Sequence, residues 1–298
     1  MSRSFKGVFV ALVTPMTDSE EIDCTCLRRL VEFLIEQGGV QGLVPLGSTG
    51  EFYALSREER EAVVKTTVEA AAGRVPVVVG TNAPSTREVV ELSRQAEDLG
   101  ADGIMLAAPY YSLPSQEELF EHIRSVDRAV RLPIMLYNYP GRTGVDMTPE
   151  FIERLAELKN VRYVKESTGD ATRVSDIVRR SGEKIQVFCG CDTLAFESLV
   201  LGAVGWVTGV ANFLPKELVR LFQLSVQEPS LAEARQLFYR LFPLFSLAES
   251  GKYTQCAKAG CELKGWAVGP PRKPLLPLNA QERQRLKKTI ELVVGSVR

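Results

Sequence analysis

A chain of 298 residues with 45% hydrophobic and 24% charged side chains can form two ordinary domains or one large α/β barrel around a sizeable core. Its 36 basic and 37 acidic residues leave a net charge of −1, with no basic stripe or arginine-rich tail for nucleic acid; a small anionic substrate remains compatible, since one or two local charges can hold a carboxylate. No uncharged apolar run approaches the roughly 18 residues of a membrane span. No signal-peptide pattern is visible at the start. The six cysteines lack C-x-x-C spacing and the one histidine, His122, falls in a helical stretch, so reduced thiols in a cytoplasmic protein are expected rather than a zinc site.

Short apolar runs alternate with amphipathic segments through the first three quarters of the chain, the pattern of βαβ units and a parallel sheet. The runs lie at 8–13, 42–46, 75–79, 103–107, 134–137, 161–165, 185–189 and 205–208. They are continuous and rich in Val and Ile, as strands buried on both faces require. Between them, Ser56, Ser85 and Ser115, each followed three positions later by glutamate, predict capping boxes. Thr148-Pro149 predicts a helix start. Gly38, Gly100 and Gly182 stand where a left-handed residue would end a helix. After Ser85, the spacing of Val89, Leu92, Ala96 and Leu99 puts them on one helical face. Eight runs with intervening helices and no linker predict an α/β fold, a closed (β/α)8 TIM barrel over 1–225. An open doubly wound sheet is the alternative, because strand count alone does not prove closure. Helical patterns at 215–227, 231–250, 254–263 and 279–294 exceed the needs of a barrel. They predict a C-terminal helical extension, 226–298, packed on the barrel or against another subunit.

Barrel chemistry collects at the carboxyl ends of the strands. The second run leads into Gly47-Ser48-Thr49-Gly50-Glu51, the fourth into Tyr110-Tyr111 and the fifth into Tyr137-Asn138-Tyr139-Pro140-Gly141-Arg142-Thr143-Gly144. The sixth leads into Lys165-Glu166-Ser167-Thr168-Gly169, the seventh into Gly190-Cys191-Asp192. Lys165, closing an apolar run, would point into a barrel mouth. Desolvation there disfavours the ammonium and leaves an amine able to attack a ketone. The bland alternative is a lysine paired with Glu166 or out in solvent. Tyr137, one strand over, could shuttle protons during carbinolamine formation, or simply cap the core with its hydroxyl at the rim. Arg142 has the fork to grip a carboxylate, although many loop arginines are only solvated. Gly47, Ser48 and Thr49 offer close backbone approach and two hydroxyls to a small carboxylate. The same loop is not a P-loop, and no G-x-G-x-x-G follows the first run. A mid-helix His122 does not suit a Ser-His-Asp triad.

Together these strand-end motifs resemble the dihydrodipicolinate synthase and N-acetylneuraminate lyase superfamily, in order and spacing, from about Phe5 to the last helix. The resemblance implies a barrel that assembles as a homotetramer or homodimer and works without metal or organic cofactor. It implies that Lys165 is the Schiff-base lysine and Tyr137 the proton-transfer tyrosine. Ser48 and Thr49 match the pair that binds the pyruvate carboxylate and relays protons, and Tyr111 a tyrosine donated across a dimer interface. Gly190 and Val210 match residues lining the pyruvyl pocket. Arg142 matches the arginine that positions the aldehyde's carboxylate in the synthase branch. The expected reaction is therefore a lyase or aldolase type of condensation between pyruvate and L-aspartate-4-semialdehyde. The alternatives are aldol cleavage or dehydration of a 2-keto-3-deoxy sugar acid, chemistry like that of N-acetylneuraminate lyase, or, from another class, a silent barrel that binds a keto acid. Three departures stand out. Ser48 replaces the synthases' usual threonine, Gly251-Lys252-Tyr253 replaces a proline-containing turn, and Pro84 replaces an asparagine of lysine-regulated enzymes.

Overall fold

In the computed structural model, which describes residues 4–295, the apolar runs become eight strands. These are β1 (Gly7–Ala11), β2 (Gly42–Val44), β3 (Val78–Gly80), β4 (Gly103–Ala107), β5 (Ile134–Asn138), β6 (Val161–Glu166), β7 (Gln186–Cys189) and β8 (Gly205–Thr208). Neighbours pair in parallel in the order β2-β1-β8-β7-β6-β5-β4-β3. A parallel bridge between Leu43 and Val77 joins the two ends, so the sheet is a closed barrel and not an open doubly wound one.

Several strands are shorter than the apolar runs that predict them, and proline gives the reason at the closing seam. The carbonyls of Pro76 and Pro45 accept from the Leu43 and Gly80 N–H groups at 3.0 and 2.9 Å, but neither proline has an N–H to return. The runs 42–46 and 75–79 therefore contribute only short ladders. At the first run, Val13 leaves the sheet and donates its N–H to Asn212 Oδ1 at 3.1 Å.

The barrel interior is filled rather than open. Phe5, Phe9, Tyr163 and Phe188 occupy its lower and middle levels, with Phe5 stacked on Tyr163 at 4.8 Å and Phe9 edge-on to Phe188 at 5.0 Å. A Cβ at Gly42 would collide with the Phe9 ring and one at Gly205 with Phe188, so these strands carry glycine where the aromatic rings need room. Only the mouth, near Ala11, Tyr137 and Val207, is left for a ligand.

The helices outside begin largely as their caps predict. Ser56 and Ser115 close reciprocal capping boxes, whereas Ser85 accepts from Glu88 N–H without the return bond. Thr148 caps the helix Pro149–Leu155. Gly100 and Gly182 have positive φ, but Gly38 does not: the adjacent Gly39 takes the left-handed position (φ +69°), since either glycine can absorb the reversal. On the helix Thr86–Asp98, Val89, Leu92 and Ala96 are buried and Leu99 half-buried.

Beyond β8 come the helix Pro215–Phe222, running into a π-turn at Gln223–Gln227, and the helices Leu231–Glu249, Tyr253–Leu263 and Ala280–Gly295. Their apolar faces share one core with the barrel's outer layer, and Phe245 meets Trp206 of β8 edge-on at 5.4 Å. No helix among the described residues is long and apolar enough to cross a membrane.

Candidate active site

The strand register sets the centre of the site. Lys165 pairs with Tyr137 across β5 and β6 and both point into the mouth, where the lysine Nζ lies 4.0 Å from the Tyr137 ring centroid. Lys165 is 6% exposed, and burial lowers its pKa from 10.5 to about 8, with the Asp192 charge opposing. Glu166 is not its partner. Alternation along the strand turns Glu166 outward, where it accepts from Asn138 Nδ2 at 3.0 Å and Thr168 N–H at 2.6 Å. Tyr137 is buried too, which pushes its phenol up to about 12 against the Arg142 charge.

Around this pair lies a cavity of about 280 Å³, at the small end for ligand sites. Ser48 and Thr49 enter it from the loop after β2, Arg142 from the turn Pro140–Thr143, and Gly190 from the end of β7. A Cβ at Gly190 would strike Ser167 Oγ, so glycine there keeps the floor open. Arg142 is solvent-exposed with its guanidinium 5.5 Å from the Tyr139 ring centroid. It stands between this cavity and a second of about 220 Å³ that is lined further out by Phe52, Tyr53 and Tyr110.

Three expected residues lie elsewhere. Gly47 does not line the cavity; its carbonyl accepts from Gly50 N–H at 3.0 Å, making the tight turn that presents Ser48 and Thr49. Val210 is 1% exposed with its side chain in the outer core, and its neighbours Val207 and Gly209 form the wall instead. Tyr111 is 97% exposed, at φ +77°, and lies outside its own chain's cavity. His122 is far from the chemistry in another sense: it is buried on its helix, 2.9 Å from Thr86 Oγ1, and burial lowers its pKa to about 4.

Other lining residues were not singled out from the sequence. Ser167, two positions past Lys165 and on the same face, is 3% exposed. Its hydroxyl is near enough to Tyr137 to bias that phenol's titration, yet makes no hydrogen bond of good geometry. Strand alternation alone could have singled it out. Glu249, Gly251, Tyr253 and Thr254 reach in from the C-terminal helices, and only their tertiary packing brings them there. Tyr253 donates its hydroxyl to Asp192 Oδ2 at 2.5 Å and accepts from Gly209 N–H at 2.8 Å. The hydroxyl loop is held from behind as well. Glu51, 0% exposed and in a left-handed conformation, lies 2.9 Å from Lys258 Nζ, off the hydrogen-bond direction. Its other oxygen accepts from Arg272 N–H at 2.7 Å, while Lys258 donates to the Pro270 carbonyl at 2.7 Å.

Among the described residues, no group of three His, Cys, Asp or Glu side chains is placed to hold a metal ion. A desolvated amine beside a buried phenol at the carboxyl end of a parallel barrel is the arrangement that imine-forming lyases need. The sequence matches the dihydrodipicolinate synthetase family over residues 4–293. It is 40% identical over 282 residues to the 4-hydroxy-tetrahydrodipicolinate synthase of Pelobacter propionicus, covering 95% of this chain and 96% of that protein. The 4-hydroxy-tetrahydrodipicolinate synthase 1 of Halalkalibacterium halodurans is 39% identical over 283 residues, 95% of each chain. Among solved structures, the chloride-inhibited dihydrodipicolinate synthase of Acinetobacter baumannii complexed with pyruvate has a TM-score of 0.92 at 37% identity, over 98% of this chain and 99% of that one. The chain belongs to the dihydrodipicolinate synthetase family.

Proposed function

We propose that this chain condenses pyruvate with L-aspartate-4-semialdehyde, the reaction of the 4-hydroxy-tetrahydrodipicolinate synthases. The observation that carries the reading is the buried Lys165 amine, with its pKa lowered to about 8, facing Tyr137 in a cavity that also holds Ser48, Thr49 and Arg142. Lys165 Nζ attacks the ketone carbon of pyruvate, whose carboxylate rests on the Ser48 and Thr49 loop. The carbonyl oxygen takes one proton from the attacking amine and a second from Tyr137, protonated at neutral pH, and leaves as water. The Tyr137 phenolate takes a methyl proton from the iminium to give an enamine, whose carbon adds to the aldehyde as the proton passes to the aldehyde oxygen. Arg142 holds the aldehyde's carboxylate so that its carbonyl meets the enamine carbon.

The same reading makes the active species an oligomer, a homodimer or homotetramer. Tyr111 is almost wholly exposed and away from its own cavity, so its role as a proton carrier needs a second copy. A second substrate class has one feature in its favour. Ser167, Thr168, Tyr253 and Thr254 give the cavity a hydroxyl-rich wall suited to the chain of a 2-keto-3-deoxy sugar acid.

The test is intact mass after borohydride with pyruvate, alongside turnover with aspartate semialdehyde. Trapping at Lys165 with rapid turnover is the expected result. Trapping with negligible turnover transfers the assignment to the sugar acids, and no trapping in folded protein removes imine chemistry altogether.

A further inference from the structure

Imine chemistry has an electrostatic requirement that the lining residues do not meet. The iminium on Lys165 is a cation, formed in a place where burial already disfavours the lysine ammonium. It activates the methyl group only while the charge persists, and the charge vanishes in the enamine as the electron pair moves to nitrogen. Arg142, at the rim, has the wrong sign. Glu166 faces away from the cavity, bonded to Asn138 and Thr168. Glu249 reaches the cavity wall, but it is turned to Asp192 N–H and Thr193 Oγ1, each at 2.6 Å, and is not among the main charges that act on Lys165.

Asp192 remains. It lies just past the end of β7, 1% exposed, in the layer behind Cys191, Gly209 and Tyr253, and does not itself line the cavity. Its oxygens are held by donors from other elements: Trp206 Nε1 of β8 at 3.0 Å, and the Tyr253 hydroxyl at 2.5 Å. Trp206 is fully buried, and Tyr253 is fixed by Gly209 N–H at 2.8 Å, so the carboxylate has a built and rigid seat. We propose that Asp192 is the counter-charge of the protonated Schiff base on Lys165, seated by Trp206 and Tyr253 to stabilise the iminium through the low-dielectric wall. This rests on the imine reading of the site. Because it touches no reacting atom, Asp192 is a positioning charge and not a catalytic residue.

The surrounding charges are consistent with this. Among the charged neighbours of Lys165, Asp192 pulls most strongly toward the cationic form and Arg142 opposes. Burial first, and then the Glu249 carboxylate, raise the Asp192 pKa from its usual 3.8 to about 7, against the hydrogen bonds from Tyr253, Thr208 and Trp206, so its ionised form is the one that a neighbouring cation favours. A buried carboxylate with another beside it gains most from a nearby cation, and the iminium supplies one at the step that needs it.

The partial reaction with pyruvate alone tests this without any aldehyde. The wild-type protein is compared with Asp192→Asn for borohydride trapping and for exchange of the pyruvate methyl protons in deuterium oxide, at saturating pyruvate and across pH. Asp192→Asn is expected to lower both rates about tenfold at neutral pH, the effect of one unit in the iminium pKa. The Lys165 limb of the pH profile should also move toward acid. Tyr253→Phe, which keeps the charge and loses one donor, should shift both in the same direction by less. Thermal melts accompany each variant, and if Asp192→Asn does not fold the Tyr253→Phe profile decides. Unchanged rates and profile in folded Asp192→Asn would overturn the proposal. Absence of trapping and exchange in the wild type would instead overturn the imine reading on which it rests.

Discussion

Tyr137 and Lys165 reach the cavity from adjacent, hydrogen-bonded strands, whereas Tyr253 and Thr254 reach it from the first turn of a helix outside the barrel. The strand wall is placed by backbone register, so its side chains stay in position whatever their chemistry. The appended wall is placed by side-chain interactions: the Tyr253 hydroxyl on Asp192, and Lys258 against Glu51. Substitutions on the first wall should therefore remove chemistry and leave the fold, and those on the second should weaken the fold as well.

Lys165→Met is the severest test of the first half. Borohydride trapping and turnover should both fall to background, while stability at neutral pH rises. The sign follows from linkage. The unfolded lysine stays protonated up to its ordinary 10.5 and the folded one only to about 8, so the native state is penalised in full below pH 8 and the penalty fades between 8 and 10.5. Methionine should recover up to about 3 kcal/mol at pH 7, read by denaturant titration. A loss of stability there would break the contrast between the walls.

Tyr137→Phe should lower kcat by about 10²- to 10⁴-fold, with the melting temperature nearly unchanged, because the ring stays packed and only proton transfer goes. On the appended wall, Lys258→Met leaves the Glu51 carboxylate buried without its cation and should cost about 3–5 kcal/mol. Adding Glu51→Gln should return most of it, and chemical denaturation of the single and double variants measures both. Arg142→Ala sharpens the comparison within the site. It should raise KM for the carboxylate-bearing aldehyde by tenfold or more, the loss of about 1.5–3 kcal/mol from a charged hydrogen bond, with pyruvate trapping unaffected. The smallest effect is that of pH on the native enzyme. The rate of trapping at subsaturating pyruvate should climb roughly tenfold per unit below the Lys165 pKa and level off above about 8, since only the neutral amine attacks.

The contrast also explains what could be read in advance. Continuous Val and Ile runs, serine caps and the spacing between them determine the barrel, because strand pairing and helix capping are local and periodic. Lys165 and Tyr137 were legible as candidates for the same reason: each closes an apolar run, and alternation turns every second residue at the carboxyl end of a barrel strand toward the mouth. The extents of β2 and β3 were not, since Pro45 and Pro76 limit the ladder only once the seam has closed. Gly47 and Val210 show the limit of spacing as a guide to contact, because adjacent residues in a tight turn face opposite ways and only packing decides which reaches the cavity. By itself, then, the sequence determined the eight strands, the helices between them and the place of Lys165 and Tyr137 at strand ends. The tertiary structure alone decided the far wall and the seat of Asp192, because Trp206, Glu249 and Tyr253 are separated along the chain and meet through side-chain packing that has no period to read.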